Sequence, residues 1–386
     1  MSGPGGFEPR RIVVVVTRQI GDVLLTTPLI SAAKTRWPNA AIDVLGMAGT
    51  LEVLAGHSAV SSCIDVGAIR SWRDRIALVR RLWRRWDLAL IGEASDRAHL
   101  LGFIAAPVRS GLVPQTKAHA WWKRPLLRHA VTVAGIADRH IAAEKVALLE
   151  PWTDAEARKT VVTPPASQPL PDDLARAIGA APVVVHVPSM WRYKQWPVAN
   201  YERVVRALLD DGRQIVLTGG PGEGDRTMVA RVAAVAESPR VVDASGRLGF
   251  GQLAGLLARA ALYIGPDTSV THLAASTGVP VIALFGPTVP TRWGPIGDGG
   301  AAPPFVRIDT SLLQRRGDVV LLQGPGSCVP CGRAGCEDHH GSVSECLEAI
   351  TPERVIAQAR ALLAERAARA AATSGEALSR GPASGA

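Results

Sequence analysis

Residues 261–295 contain the stretch that decides the fold of this chain. It reads ALYIGPDTSVTHL over 261–273 and GVPVIALFGPT over 278–288, so two apolar strands each end in a short polar turn. Asp267 or Thr268 can cap the helix after the first turn, because a short side-chain oxygen accepts a hydrogen bond from a free amide. Helix N-termini favour anions, and ligands of open parallel sheets bind at the carboxyl ends of the strands. The stretch therefore predicts an α/β sheet, with either a phosphate site or one more capped helix at its edge.

The size and charge of the chain narrow the class of protein. With 386 residues, 47% of them hydrophobic, the chain is long enough for two domains with large cores. Its formal net charge of +9 suggests an acidic partner, which can be a phosphorylated substrate, an anionic membrane surface or nucleic acid. No apolar run is long enough to cross a bilayer, and the first residues lack the pattern of a signal peptide. We therefore expect a cytoplasmic protein whose cysteines are thiols or metal ligands.

The N-terminal half opens with a strand, a turn and a helix. Residues 1–10 are predicted to be a loose tail. Residues 11–17 form a buried strand, since an apolar run without alternation is typical of parallel strands covered on both faces. Asp22 follows at the start of a helix, where it is either a helix cap or a functional carboxylate. The dinucleotide fingerprint Gly-x-Gly-x-x-Gly is missing from this turn, which disfavours a dehydrogenase.

An amphipathic helix is predicted over 70–86. Its apolar residues recur every three to four positions, and arginines surround them. The apolar positions are Trp72, Ile76, Val79, Trp83 and Trp86, and the arginines are Arg70, Arg73, Arg75, Arg80, Arg81, Arg84 and Arg85. This pattern predicts a helix packed on the sheet, with a solvated basic face. The other interpretation is an interfacial helix near acidic lipid.

A proline-rich segment then divides the chain, because prolines block both helices and central strands. Strand and helix patterns restart after it. We therefore predict two doubly wound, Rossmann-like domains that face a central cleft, over 11–162 and 182–366, with a linker over 163–181. The last segment, 367–386, is mostly Ala, Ser and Gly with little to bury, so it is predicted to be disordered.

Four separated motifs occur in a specific order. They are Gly21-Asp22-x-x-x-Thr26-x-Pro28, Lys194-x-Trp196-Pro197, Gly219-Gly220-Pro221-Gly222-Glu223, and Asp267-Thr268-x-x-x-His272-Leu273 with Phe285-Gly286-Pro287-Thr288. In this order they resemble the bacterial heptosyltransferases of glycosyltransferase family 9, over residues 11–360. The resemblance implies the GT-B fold, with the donor held by the C-terminal domain and the acceptor mainly by the N-terminal one. It also implies inverting transfer of heptose from ADP-heptose to the lipopolysaccharide inner core.

The resemblance implies roles for individual residues. Asp22 resembles the catalytic base, which agrees with the single carboxylate that an inverting displacement needs. Lys194 resembles the lysine that meets the donor diphosphate, and Glu223 resembles the acid that binds the adenosine ribose. The turn that would hold the diphosphate and the sugar hydroxyls consists of Asp267, Thr268 and Ser269. The residues that bind the acceptor stay unknown.

The implied partners are a nucleotide sugar and a lipid-linked glycan. Because that acceptor is anchored in a membrane, we expect peripheral contact with anionic lipid at the inner face of the inner membrane. Nucleic acid is not expected, since the chain lacks a recognition-helix motif and aromatic ribonucleoprotein signatures.

Some positions depart from the pattern of the family. Ser269 stands where the family usually has glycine, so the turn must avoid a positive φ or be strained. The loop 186–194 is not the usual small, Gly- or Thr-rich one, which leaves the contacts to the donor sugar open. His140 and Glu144 fit a looser motif, and we interpret them as ordinary helix surface outside the site.

The cysteines near the C-terminus form a separate cluster, namely Cys328, Cys331, Cys336 and Cys346. The Cys-x-x-Cys pair could hold zinc, but a structural zinc site normally needs a second close pair, and the remaining spacing is irregular. Similar segments occur in many members of the family, so we assign the cluster to local structure. We predict no metal and no cofactor beyond the nucleotide sugar.

Three other functions remain open at this point. The first keeps the GT-B fold and makes the protein a nucleotide-sugar epimerase, or a family member that uses a different nucleotide sugar. The second is a basic, cysteine-rich protein that binds nucleic acid. The third is an inactive binder of sugar nucleotides, against which the presence of Asp22 and Lys194 argues.

Overall fold

The computed structural model describes residues 6–67, 69–133, 139–234, 238–297, 305–307 and 310–379. These residues form two α/β units, each built on its own largely parallel sheet. The predicted fold class, two doubly wound Rossmann-like domains in the GT-B arrangement, is confirmed.

The N-terminal domain has a six-stranded parallel sheet in the order β3-β2-β1-β4-β5-β6. Its central strand β1 has fully buried apolar side chains, because helices cover both faces of the sheet. The strands are β1 (Arg11–Val15), β2 (Ala41–Gly46), β3 (Ser62–Asp65), β4 (Leu88–Ile91), β5 (Val108–Val113) and β6 (His129–Thr132). The helices are α1 (Ile20–Leu24), α2 (Thr27–Arg36), α3 (Ala48–Leu51), α4 (Trp72–Leu82), α5 (Asp96–Ala105), α6 (Lys117–Ala120) and α7 (Ile141–Val146), with 3-10 turns at Glu52–Leu54, Arg124–Leu126 and Ala147–Leu149.

The C-terminal domain has a seven-stranded sheet in the order β12-β13-β11-β10-β7-β8-β9, in which the edge strand β12 alone runs antiparallel to its described neighbour. The strands are β7 (Val183–His186), β8 (Ile215–Thr218), β9 (Val241–Asp243), β10 (Leu262–Pro266), β11 (Val281–Phe285), β12 (Leu313–Arg316) and β13 (Val319–Gln323). The helices are α8 (Asp172–Ala177), α9 (Val198–Asp210), α10 (Glu223–Ala234), α11 (Phe250–Arg259), α12 (Ser269–Ser276), α13 (Pro290–Trp293), α14 (Glu345–Glu348) and α15 (Pro352–Ser379), with a 3-10 turn at Arg192–Lys194.

The proline-rich linker lies against both domains. The Thr163 amide donates to Thr27 Oγ1 at 2.9 Å in the N-terminal domain. The Gln168 amide donates to the Gly251 carbonyl at 3.0 Å in the C-terminal domain. These bonds hold an extended segment that cannot form helix or sheet hydrogen bonds at its prolines.

Both chain ends differ from the predicted tails. Phe7 accepts a hydrogen bond from Trp37 Nε1 at 3.3 Å, and Glu8 pairs with Arg36 at 3.0 Å, so residues 6–10 are held against the domain and are not loose. At the other end α15 continues to Ser379, beyond the predicted start of disorder, because alanine-rich sequence has a high intrinsic helix propensity. The remaining parts of both predicted tails, 1–5 and 380–386, lie outside the described residues.

The orientation of α4 also differs from the prediction. Trp72, Ile76, Val79 and Trp83 are 65%, 42%, 37% and 57% exposed, so the predicted core stripe faces solvent. Of the five predicted positions, Trp86 alone is buried. Its Nε1 donates a hydrogen bond to Asp43 Oδ2 at 2.8 Å. The helix packs inward through a different set of residues that includes Leu82. Periodicity identifies an apolar stripe, but it does not show which of two stripes the sheet covers.

Candidate active site

A cavity of about 650 Å³ lies between the two domains. Its walls come from the carboxyl ends of strands in both sheets, where ligands of doubly wound folds bind. The N-terminal wall carries Asp22, after β1. The C-terminal wall carries Lys194, after β7, and Asp267, Thr268 and Ser269, after β10. The structure thus brings together five of the six site residues that the sequence predicts.

Lys194 and Asp267 form an ion pair on the C-terminal wall of the cavity, with Nζ and Oδ2 2.6 Å apart. Burial alone would lower the pKa of Lys194, but Asp267, Tyr193 and Asp22 outweigh it and leave this pKa raised. Burial would likewise raise the pKa of Asp267, yet Lys194 and His272 leave that pKa lowered. Both groups are therefore charged at neutral pH, and the ammonium group is held at the cavity wall.

The N-terminus of α12 forms the floor beside this pair. Thr268 is its N-cap, with φ −140° and ψ 171°, and Ser269 is the first helical residue. The first amides of a helix have no partner within it, so they are available to an anion. Ser269 is not among the described residues with positive φ, which means that serine replaces glycine here without backbone strain. A Cβ on Gly21 would lie 3.7 Å from Ser269, an ordinary van der Waals distance, so α1 and α12 are in contact here without requiring a glycine.

Asp22 is partly buried in the first turn of α1, and its side chain lines the cavity. Its main-chain carbonyl accepts a hydrogen bond from Lys145 Nζ at 2.5 Å and another from Thr26 Oγ1 at 2.6 Å. Lys145 Nζ also donates to Thr26 Oγ1 at 2.7 Å. Burial lowers the pKa of Lys145 to about 8, against the opposing effect of Asp22 and Glu93. The turn that carries Asp22 is therefore tied to α7 by a fully buried lysine.

The interpretation of His140 and Glu144 as helix surface is wrong. Glu144 is fully buried, and its carboxylate binds Arg292 of the C-terminal domain. His140 Nδ1 accepts from the Ala142 amide at 3.1 Å, and its Nε2 bonds the Gly294 carbonyl at 3.0 Å. Sequence reasoning missed these residues, and also Lys145, because their partners lie more than 100 positions away. The one local signal was the run of charged residues in an otherwise apolar helix.

Glu223 is the predicted site residue that the structure does not bring to the cavity wall. It is exposed at the first position of α10. Asp225 lines the cavity instead, and its Oδ2 accepts from the Gly220 amide at 3.0 Å, which fixes the glycine-rich turn after β8. The role of Glu223 in binding ribose stays a prediction.

Two buried histidines also face the cavity, and sequence reasoning gave neither a role. His272 Nδ1 has no hydrogen-bond partner among the described residues, and burial lowers the pKa of His272 to about 4. His186 Nδ1 lies 3.0 Å from Thr218 Oγ1, and burial lowers the pKa of His186 to about 4 as well. Both rings are neutral at physiological pH, so they offer hydrogen bonds to a ligand without adding charge. The signal for His272 was its place in the motif that begins at Asp267.

The four C-terminal cysteines are free thiols. Within the described part of the chain, no group of three or more metal-ligating side chains is arranged to hold a metal ion. Burial raises the pKa of Cys346 to about 11. The prediction that this cluster belongs to local structure and binds no metal stays a prediction.

Comparison with known proteins identifies the family. The profile of glycosyltransferase family 9 (heptosyltransferase) matches residues 75–301. Lipopolysaccharide heptosyltransferase 3 of Escherichia coli is 30% identical over 287 residues, which cover 71% of this chain and 83% of that protein. The chain belongs to glycosyltransferase family 9. Lipopolysaccharide heptosyltransferase 1 of Pseudomonas aeruginosa is 27% identical over 386 residues, which cover 92% of this chain and 98% of that protein.

Solved structures agree with this assignment at the level of the fold. The structure of E. coli ADP-heptose lipopolysaccharide heptosyltransferase II has a TM-score of 0.67 at 20% identity, and covers 92% of this chain and 99% of that one. A family 9 glycosyltransferase of Veillonella parvula has a TM-score of 0.68 at 22% identity, and the match covers 92% of this chain and 97% of that one. This family 9 member is therefore a glycosyltransferase with the GT-B fold.

Proposed function

We propose that this family 9 glycosyltransferase transfers heptose from ADP-heptose to a lipopolysaccharide core or a similar lipid-linked glycan, with inversion at the anomeric carbon. One observation carries the proposal. A carboxylate of the N-terminal domain, Asp22, faces the same cavity as the Lys194–Asp267 pair and the α12 N-terminus of the other domain. A base on one side and a diphosphate site on the other are what a single displacement between two substrates requires.

The proposed reaction uses these groups in one step. Asp22 takes the proton from an acceptor hydroxyl while that oxygen attacks the anomeric carbon. The bond from this carbon to the phosphate oxygen breaks on the opposite side, so the configuration inverts and ADP leaves with the electron pair. Lys194 and the free amides at Thr268 and Ser269 stabilise the negative charge that grows on the diphosphate. The proposal includes no cofactor, since these groups supply the positive charge that the leaving group needs.

The names of related proteins support the choice of substrates. The solved heptosyltransferase II is described as acting with ADP-heptose on lipopolysaccharide, and another E. coli heptosyltransferase was solved with ADP. We propose that this chain uses the same substrates, in which case its acceptor is anchored in a membrane. The enzyme would then work at the cytoplasmic face of the inner membrane. Within the described residues, no helix is both long and apolar enough to span a bilayer. Contact with the membrane would then be peripheral.

A product assay tests the proposal. The full-length protein is incubated with ADP-, GDP-, UDP- and dTDP-sugars, with and without a lipopolysaccharide-core acceptor, and the products are identified by mass spectrometry. We expect ADP-heptose to be consumed only when the acceptor is present, with one heptose added to it. Conversion of a nucleotide sugar without an acceptor would instead identify an epimerase, and transfer from another donor would correct the sugar or the nucleotide.

The variant Asp22→Asn tests the assigned base. We expect it to lower turnover by about 10²- to 10⁴-fold, because the amide cannot take the proton. Binding of ADP-heptose, measured by calorimetry, should stay within error of wild type, since Asp22 belongs to the other wall of the cavity. Normal turnover would show that Asp22 is not the base and has only a structural place in the first turn of α1.

A further inference from the structure

Helix α4 presents an apolar stripe to solvent, which we call the outer stripe and define as Trp72, Ile76, Val79 and Trp83. At 3.6 residues per turn, these positions lie within about 60° of one another around the helix axis. Their side chains are between 37% and 65% exposed. Leu82, by contrast, is fully buried against the sheet, so the outer stripe is not part of the core. Two large tryptophans and two aliphatic side chains side by side on one exposed face indicate a surface that meets a partner.

Arginines flank the outer stripe on both sides. Arg73 and Arg80 lie along one side and Arg75 along the other, and all three are exposed. The guanidinium of Arg73 stacks on Trp72 at 5.5 Å, and that of Arg84 stacks on Trp83 at 5.7 Å. Among the described residues none of these four arginines forms a salt bridge with an acid, so their charge is available to an external anion.

The combination of an apolar stripe and flanking cations selects among partners. A second copy of the chain would bring two arginine clusters together, which is unfavourable. Nucleic acid would engage the arginines but would leave Ile76 and Val79 exposed to water. At an anionic bilayer, tryptophan and aliphatic side chains enter the region of the headgroups and upper acyl chains, while arginines meet lipid phosphates. Anionic lipid is the partner that uses both features of this face.

The position of α4 relates this face to the cavity. The helix follows β3, which lies parallel to β2 and β1, so the N-terminal end of α4 is at the same sheet edge as Asp22. We propose that the outer stripe and its arginines dock the enzyme on an anionic lipid surface. This inference rests on the proposed function for its purpose, because docking there brings the cleft to a lipid-borne acceptor.

Vesicle sedimentation tests the docking surface, using the full-length protein without donor or acceptor. Vesicles of phosphatidylcholine alone are compared with vesicles of phosphatidylcholine mixed with phosphatidylglycerol, at low and high salt. We expect binding only to the anionic vesicles, and weaker binding at high salt because exposed charges are screened within about 8–10 Å near physiological ionic strength. Absence of binding at low salt would overturn the proposal.

Matched variants locate the surface. Arg73→Gln/Arg80→Gln should weaken binding roughly fivefold per arginine. Arg226→Gln/Arg231→Gln removes the same charge from exposed positions of α10 and should leave binding nearly unchanged. Equal losses in the two double variants would show diffuse attraction by net charge and would overturn the assignment to α4.

The apolar contribution is tested in the same assay. Trp72→Ala/Trp83→Ala should weaken binding roughly tenfold or more, whereas Trp72→Phe/Trp83→Phe should retain most of it. If sedimentation velocity shows a dimer for wild type and a monomer for Trp72→Ala/Trp83→Ala, a second copy covers the outer stripe and the proposal is overturned. Transfer to a lipid-free acceptor should be unchanged in all these variants. If the wild-type protein binds anionic vesicles but transfers no sugar to any acceptor, the proposed function is wrong and the docking surface stands.

Discussion

Glu144 and Arg292 join the two domains through a two-point ion pair. Arg292 Nη1 donates to Glu144 Oε1 at 2.9 Å, and Nη2 donates to Oε2 at 3.1 Å. The carboxylate is fully buried, whereas the Arg292 side chain is 13% exposed. Lys145, which follows Glu144 in the sequence, donates a hydrogen bond to the Asp22 carbonyl and so holds that turn. Two consecutive residues of α7 therefore contact both the turn of the proposed base and the C-terminal domain.

Removing Arg292 should destabilise the protein more than neutralising Glu144. Arg292→Ala leaves a fully buried carboxylate without its cation, which costs about 3–5 kcal/mol. Glu144→Gln leaves the arginine close to solvent, so its cost should be smaller. Urea unfolding of both variants and of the double variant measures the coupling. Arg203→Ala, which breaks the exposed pair with Glu353, is the control and should have little effect. Equal costs for Arg292→Ala and this control would contradict the expectation.

Lys145 should act on catalysis through the position of Asp22. Lys145→Met removes the donor to the Asp22 carbonyl, and a small displacement of the base can cost about 10²-fold in kcat. Donor affinity should change little. Stability should be kept, because the variant also removes a buried charge. Lys145→Arg, which can still donate to both oxygens, should recover part of the activity. If kcat falls only in proportion to the loss of folded protein, the role of Lys145 is structural.

Lys194 and Glu223 should give different kinetic patterns. Lys194→Ala removes the cation beside the leaving diphosphate, so kcat should fall by roughly 10²-fold or more. Glu223 lies outside the cavity wall, and if it binds ribose it does so equally in the ground and transition states. Glu223→Ala should then mainly raise KM for the donor. Steady-state kinetics with varied donor separate the two, and the same pattern in both variants would refute this donor placement.

His140 should make stability fall in mild acid. Burial lowers the pKa of His140 to about 3, from an ordinary value of 6.5. As the pH falls from 6.5 towards 3, the unfolded state binds a proton that the folded state does not, so the free energy of unfolding decreases. The loss is up to about 1.4 kcal/mol per pH unit for one proton. His186 and His272 act in the same direction.

The variant His140→Asn isolates this contribution. Asparagine can still cap α7, but it does not titrate. The free energy of unfolding should therefore change less steeply with pH, between about pH 6 and pH 4, than in wild type, by roughly the contribution of one proton. Urea unfolding across this range measures it. His339→Asn changes a side chain that is 58% exposed and serves as the control. An unchanged slope in His140→Asn would show that this histidine is not the source.

The sequence by itself determined the fold class and five of the residues that line the cavity. Apolar runs without alternation, such as β1, and the restart of the pattern after a proline-rich linker predicted two covered parallel sheets. Because every parallel strand ends at the same edge of its sheet, the motifs after β7 and β10 had to lie at one edge, and Asp22 after β1 at the corresponding edge of the other sheet. The packing of the two domains brings these edges together at the cavity. Asp22, Lys194 and the turn 267–269 were therefore predictable from local patterns.

Only the tertiary structure decided which groups support those residues and which faces stay exposed. The partners of Glu144 and Lys145 are 148 and 123 positions away, and no local pattern reports such pairs. Likewise, the 3.6-residue period of α4 is the same whether its tryptophans face the sheet or water. Periodicity depends on neighbours along one helix, whereas burial and ion pairing depend on how separate elements pack, which is why these features appear only in the assembled fold.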